Sequence, residues 1–232
     1  MIQNIPIEKV LFLDIETVPQ AAHWKNLDEE TQRLWEKKTK TQRKEDVSAE
    51  EFYGERGGIM AEFGKIICIS VGMLSPKTNK LKIHSYSSHE EKELLVEFGN
   101  LFNHPQLREA ILCAHNGKEF DFPYISRRML INGLQPPSPF QTYGKKPWQV
   151  NHLDTMELWK FGDWKHFISL ELLAHLFGIP SPKDDIDGSV VADIYYEEGN
   201  LDRIRKYCEK DVLTLCNVFR KLRQEDLVER EI

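Results

Sequence analysis

The segment VLFLDIE at residues 10–16 is the stretch from which both the fold and the chemistry can be predicted. Its β-branched, Leu and Phe side chains are typical of a buried strand, and the run ends in acids. Successive side chains of a strand alternate between faces, so Asp14 and Glu16 project from the same face. Two carboxylates so placed repel each other, and a bound cation relieves that repulsion. We therefore interpret them as metal ligands; the alternative is a solvated pair at a strand end.

Four further segments have the composition of strands, and helical patterns separate the later ones. The predicted strands are KIICISVGML (65–74), LKIHSY (81–86), AILCAHN (110–116) and WQVNHLD (148–154). The predicted helices extend from a capping box at Ser87-Ser88 and Glu90-Glu91 to Phe102, and over 123–133, 169–178, 190–198 and 202–223. Three strands followed by alternating strands and helices predict an α/β sandwich, with a mixed five-stranded sheet and helices on both faces.

Residues 23–62 interrupt this pattern with many charged and amide side chains and the pair Gly57-Gly58. The spacing of the apolar residues predicts a helix over 27–38. We interpret the segment as an insertion in a single domain that covers residues 1–232. Because it leaves the chain just after Glu16, we expect a mobile, mostly helical flap near the site; the alternative is a solvated appendage on a remote face.

A second motif follows the fourth predicted strand, in the sequence HNGKEFDFPYI. It places Asn116 and Asp121 at the same edge of the sheet as Glu16, just before a helix. Taken alone, Asp121 is more simply explained as a helix cap.

A third motif lies on the last predicted helix, in the sequence YCEKD. Tyr207 and Asp211 are four residues apart, so they share a helical face and can point at one site. Taken alone, an ordinary polar stripe explains them. Together, the three motifs bring four carboxylates to one sheet edge, and such hard oxygen ligands suit Mg²⁺ or Mn²⁺ better than zinc.

Composition excludes several classes of protein. The net charge of −6 argues against a protein that coats nucleic acid through many phosphate contacts. The four cysteines form no C-x-x-C pair, which argues against a zinc ribbon and favours a reduced, cytoplasmic compartment. We expect no signal peptide, because no basic region is followed by a long apolar run. No apolar run approaches the ~18 residues of a membrane span, so no membrane partner is expected.

The three motifs resemble those of the DEDD superfamily of exonucleases, which have a ribonuclease H-like three-layer fold. The residues concerned are Asp14-Ile-Glu16-Thr17, Asn116-x-x-x-Phe120-Asp121 and Tyr207-x-x-x-Asp211. The subtype resembles the tyrosine one, since the position of the alternative histidine is Lys206. The likeness is greatest to stand-alone bacterial proteins related to the proofreading domain of family B DNA polymerases. It covers roughly 8–22 and 64–224, and the insertion departs from it.

This resemblance implies a role for each residue of the motifs. Asp14 would bridge two Mg²⁺ or Mn²⁺ ions, Glu16 and Asp211 would hold the ion that activates water, and Asp121 would support the second. Tyr207 would orient the attacking water, because a side chain with a pKa near ~10 is a poor base at neutral pH. Thr17 and Asn116 are candidate contacts to the terminal nucleotide.

The expected function is that of a 3′→5′ exonuclease. It would hydrolyse single-stranded nucleic acid with a free 3′ end, DNA being favoured, to nucleoside monophosphates by a two-metal-ion mechanism. Two alternatives remain open: an exoribonuclease that trims RNA 3′ ends, and a nucleic-acid binding module without catalysis. The sequence gives no indication of protein partners.

Other residues have simpler explanations. Asp154 and Glu157 have the spacing of a helix-capping box, which we favour over a metal role. His115 and His152 are expected to have structural roles, and Lys183 is interpreted as part of a solvated turn rather than as a phosphate contact. The basic, aromatic segment 143–148 could hold single-stranded nucleic acid, and a plain polar loop explains it equally well.

Overall fold

The structure, a computed structural model, describes residues 2–163, 165–180, 186 and 188–231. Within these ranges the strands are β1 (Val10–Pro19), β2 (Gly64–Leu74), β3 (Leu81–Ser87), β4 (Ile111–Ala114) and β5 (Leu153–Asp154). The α-helices are α1 (Glu29–Thr39), α2 (Ala49–Arg56), α3 (Glu91–Leu101), α4 (Asp121–Ile131), α5 (Thr155–Lys160), α6 (Leu170–Leu176), α7 (Val191–Tyr196) and α8 (Leu201–Leu222). Among the described helices, none is both long enough and apolar enough to cross a bilayer.

The strands form one mixed five-stranded sheet in the order β3-β2-β1-β4-β5. The central strand, β1, is antiparallel to β2 and parallel to β4, and β2 and β3 form the predicted antiparallel hairpin. From Val10 to Phe12 the backbone of β1 is fixed by two ladders of hydrogen bonds, and beyond Phe12 by the ladder with β2 alone. The predicted mixed sheet is confirmed.

Both faces of the sheet are covered by helices, because alternate side chains of β1 pack in opposite directions. Leu11 and Leu13 belong to an apolar cluster with residues of α3 and α4. Val10 and Phe12 pack instead against α8, where the Phe12 ring meets Phe219 edge to face. The result is the three-layer α/β fold that was predicted. Even-numbered residues of β1 therefore face α8.

A β-bulge lies where β1 passes the acidic residues. The pairing changes from Glu16 opposite Cys68 to Thr17 opposite Ile66, so Ile67 is the extra residue on β2. Bulges bend a strand and re-aim the side chains beside them. Ile67 consequently packs with Val18 on the α7 side of the sheet.

The insertion at 23–62 contains α1 and α2 and has an apolar cluster of its own around the fully buried Trp35. Two hydrogen bonds attach its end to α4. The Tyr124 hydroxyl donates to the Gly58 carbonyl at 2.7 Å, and Arg128 Nη1 donates to the Ala61 carbonyl at 2.9 Å. The insertion thus packs against α4, the helix that begins with Asp121, and its mobility stays a prediction.

The strand predicted over 148–154 is much shorter than expected. Only Leu153 and Asp154 pair with β4, and Pro147–Gln149 form a 3-10 turn. The His152 ring is hydrogen-bonded to the Pro139 carbonyl at 2.8 Å, and this contact holds the segment against the preceding loop.

The capping box predicted around Ser88 is also wrong. Helix α3 begins at Glu91, and its N-cap residue makes no side-chain cap. The Glu91 carboxylate turns inward instead, where it accepts from the Ile66 amide at 2.7 Å and from Arg128 Nη2 at 2.5 Å. A buried arginine is a stronger partner for a carboxylate than a helix-terminal amide.

The buried Glu91–Arg128 pair generates a stability prediction. Arg128→Met should lower the free energy of unfolding by about 3–5 kcal/mol, because it leaves a buried carboxylate without its counter-ion. Chemical denaturation measures the loss. Arg33→Met, which removes an exposed ion pair with Glu30, is the control and should leave the midpoint nearly unchanged. Equal midpoints for the two variants would contradict this prediction.

Candidate functional site

Four carboxylates from three elements influence one another where the middle of β1 faces α4 and α8. Burial raises the pKa of Asp14, and the charges of Asp211 and Asp121 raise it further. Burial likewise raises the pKa of Glu16, with the charge of Asp14 as the next cause and that of Asp211 after it. Each carboxyl group thus responds to the others, as expected when like charges share a site of low dielectric constant.

Asp121 is the first residue of α4 and is 95% buried, with an exposed fraction of 5%. Burial raises its pKa to about 7; the nearby charge of Asp154 adds to the shift, while hydrogen bonds to its own backbone and to that of Ile15 oppose it. The pairing of β1 with β4 extends only to Phe12, so the backbone of Ile15 lies beyond that ladder. This bond holds the Asp121 carboxylate against the backbone of β1.

Tyr207 and Asp211 lie on the side of α8 that faces these acids. The half-buried Tyr207 hydroxyl shares a hydrogen bond with the Asp211 carboxylate. Burial raises the pKa of Tyr207, and the charges of Asp211, Glu16 and Asp14 raise it further. The side chain therefore remains a neutral phenol at physiological pH and can serve as a hydrogen-bond donor.

Cys208 is a member of this site that the sequence analysis missed. Its Sγ atom lies 3.2 Å from Asp14 Oδ2 and 3.5 Å from the Asp14 carbonyl oxygen. One ligand atom each from Asp14, Glu16 and Cys208 lie within 4.8 Å of one another. The spacing carried a usable signal, because Cys208 is three residues before Asp211 and so shares its helical face.

This donor set fits a divalent cation. Carboxylate oxygens are the ligands that Mg²⁺ and Mn²⁺ prefer, and Asp14 and Glu16 offer two that are close enough to share an ion. Asp121 and Asp211 lie outside that close group and act on it through their charges. The raised pKa values of Asp14 and Glu16 mean that the charged forms are disfavoured in the fold. Positive charge at the site would reverse that preference. The Cys208 thiol adds a softer donor at the edge of the cluster.

The two candidate nucleotide contacts lie at the rim of this region. The Thr17 side chain is hydrogen-bonded to the Tyr124 hydroxyl, next to the insertion. Asn116 has a positive φ of 61°, which asparagine tolerates better than most residues. Asn116 lines a cavity of about 270 Å³ together with Lys118. The contact of either residue with a nucleotide stays a prediction.

Asp154 and the two histidines have the structural roles that were expected, whereas Glu157 pairs with Lys118 and does not complete the predicted capping box. Asp154 caps α5 by accepting from the Met156 amide at 3.0 Å, and it also accepts from the Asn116 amide at 2.9 Å. It therefore fixes the turn before Asp121. His115 is hydrogen-bonded to the Ile168 carbonyl at 2.8 Å, much as His152 is bonded within its own loop. Lys183 lies outside the described residues.

Comparison of the fold gives a structural relative. The family B DNA polymerase from the hyperthermophilic archaeon Pyrobaculum calidifontis superposes with a TM-score of 0.59 at 16% sequence identity. The match covers 92% of this chain and 24% of the polymerase chain, so this chain spans about a quarter of that protein. At this identity the likeness concerns the fold, which is ribonuclease H-like.

Comparison of the sequence gives the family. No curated protein matches the chain significantly. A family model described as a predicted 3′-5′ exonuclease related to the exonuclease domain of PolB matches residues 59–228. The matched region contains Asp121, Tyr207 and Asp211, and it begins after Asp14, Glu16 and most of the insertion. Because it covers well over half of the chain, the protein belongs to this family of predicted 3′-5′ exonucleases related to the PolB exonuclease domain.

Proposed function

We propose that this protein is a 3′→5′ exonuclease that uses two Mg²⁺ or Mn²⁺ ions to release nucleoside monophosphates from single-stranded nucleic acid. DNA is the favoured substrate, because the family is related to an exonuclease domain of a DNA polymerase. The convergence of Asp14 and Glu16 with Asp121 and Asp211 carries the proposal. A purely structural role gives no reason to bury four like charges together.

In this proposal each acid of the cluster holds metal. Asp14, Glu16, Asp121 and Asp211 would bind the two cations, with Asp14 shared between them. When bound, the cations would supply the positive charge that stabilises the entering and leaving oxygens of the phosphodiester. The pKa of Asp121, about 7, lies close enough to neutrality for its carboxylate to form readily when cations bind.

Tyr207 positions the attacking water rather than taking its proton. Its raised pKa keeps the hydroxyl protonated, so the group cannot act as a base at neutral pH. The hydrogen bond with Asp211 fixes the direction of the hydroxyl. A hydroxyl group fixed in this way, next to the reacting phosphate, would align the water for attack, and its contribution to the rate is one of orientation.

Asp14→Asn should abolish activity and raise the thermal midpoint of the metal-free protein. The folded-state pKa of Asp14 lies above its ordinary value, so at neutral pH ionisation of this group destabilises the fold, and the neutral amide removes that cost. Relief of ~1 kcal/mol would raise the midpoint by about 2–4 °C. Asp202→Asn, which neutralises an exposed acid on α8, is the control for a change in net charge.

The same thermal scans test metal binding. Millimolar Mg²⁺ or Mn²⁺ should stabilise the parent by ~2.7 kcal/mol at a hundredfold excess over Kd, and Asp14→Asn by much less. Equal metal-induced shifts in both proteins would contradict a metal site at Asp14.

Tyr207→Phe should lower kcat by about 10²-fold or more while calorimetry shows nearly unchanged metal affinity, because the hydroxyl orients water and is not a ligand. Asp211→Ala should lose both. Tyr86→Phe, a change in the apolar cluster on the opposite face, is the matched control and should retain full activity. Loss of metal binding in Tyr207→Phe would overturn this division of roles.

Polarity and substrate are tested with 5′-labelled DNA and RNA strands of matched sequence. We expect a ladder of products that shortens by single nucleotides from the 3′ end, faster on DNA, and absent with chelator. A duplex should be cut more slowly, because fraying costs ~1.4 kcal/mol per base step. Cleavage of a circular strand would indicate an endonuclease. Faster RNA cleavage would favour 3′-end trimming, and binding without cleavage a non-catalytic module.

A further inference from the structure

A groove of about 540 Å³ lies between the start of α4 and the loop that leads to β5. Phe122 and Pro123 line it from α4, and Trp148 and His152 line it from the loop. Phe122 directly follows Asp121, so one wall of the groove is the start of the helix that carries this acid. The hydrolysis proposed above assigns no role to these four side chains.

The charge around this groove is opposite in sign to that of the whole chain. Residues 122–153 contain no Asp or Glu, whereas the chain has 37 acidic residues and a net charge of −6. Lys145 and Lys146 belong to this stretch and are exposed. The acid at the rim, Glu157, is paired with Lys118 at 2.5 Å. An anion that enters the groove therefore meets a locally basic surface.

Aromatic rings stand exposed next to these lysines. Trp148 is 76% exposed and Tyr143 is 65% exposed, although large apolar rings are usually covered. The Lys146 ammonium lies 5.1 Å from the centroid of the Trp148 ring. An indole face beside a cation offers stacking to a base and charge to a phosphate, the combination by which proteins hold single strands.

We propose that this groove binds single-stranded nucleic acid over the nucleotides that precede the 3′-terminal one. Trp148 stacks on a base, and Lys145 and Lys146 contact the adjoining phosphates. The inference rests on the proposed function, because the bound strand is the one whose 3′ end lies at the carboxylates. Phe161 makes a natural contrast, because its ring is as exposed as that of Trp148 but does not line the groove.

Equilibrium binding tests the stacking contact without cleavage. Anisotropy of a 5′-fluorescein-labelled thymidylate oligonucleotide is measured in chelator, where hydrolysis does not occur. Trp148→Ala should weaken binding by about 5-fold or more, the loss of one stacked base. Phe161→Ala removes a ring that is 88% exposed and does not line the groove, so it should bind like the parent. All these side chains are exposed, and unchanged thermal midpoints verify folding.

The salt dependence of the same binding tests the phosphate contacts. Lys145→Ala/Lys146→Ala should reduce the slope of log affinity against log salt by about 0.7 per lysine, the value for single strands. Lys37→Ala/Lys38→Ala, on the exposed face of α1, is the charge-matched control and should leave the slope unchanged.

Parental affinity in Trp148→Ala, or a parental slope in the lysine variant, would overturn the groove assignment. Failure of the hydrolysis proposal has a different signature, since the ladder would then be absent while the groove variants still lost affinity. A ladder from a protein whose groove variants bind normally would support hydrolysis and reject the groove.

Discussion

The buried ion pair between Glu91 and Arg128 is the interaction on which the geometry of the carboxylate cluster depends. Glu91 joins α3 to the backbone of β2 through the Ile66 amide, and Arg128 joins α4 to the end of the insertion through the Ala61 carbonyl. The pair therefore sets the position of α4 relative to the sheet. Because Asp121 is the first residue of α4, the same contact sets its distance from the acids of β1.

The unfavourable burial and mutual repulsion of the acids fall on β1, the central strand of the sheet. Because β1 pairs with β4 only up to Phe12, the ladder with β2 keeps Asp14 and Glu16 in place while burial and mutual repulsion disfavour their charge. Polar contacts around the cluster reduce the freedom of its members, as with Cys208 against Asp14 and Tyr207 against Asp211. Such positioning is arranged before any ligand arrives, which lowers the reorganisation that binding and reaction require.

Local periodicity explains what could be predicted from the sequence. The strand spacing of Asp14 and Glu16 and the helix spacing of Tyr207 and Asp211 are short-range patterns, so the sheet and the final helix could be predicted from them. That all four acids form one metal site stays a prediction. The start of α3 could not be predicted in this way, because the Glu91 carboxylate is hydrogen-bonded to Arg128, far along the chain, instead of to its own helix end. Cys208 was missed because a buried cysteine on a helix is ordinarily a packing residue. The bulge on β2 depends on pairing between strands and leaves no local signal.

The insertion is, in topological terms, an enlarged hairpin loop. Pro19 pairs with Gly64 across β1 and β2, and the Gln20 amide donates to the Phe63 carbonyl at 2.9 Å, so the two ends of the segment are neighbouring positions of one ladder. A loop whose ends are already joined can change in length at little entropic expense, since closure entropy grows only with the logarithm of length. The insertion can therefore be lengthened, shortened or replaced, in evolution or by design, while β1 and β2 keep their register. Such a change would alter the surface beside the carboxylates without disturbing the sheet that carries them.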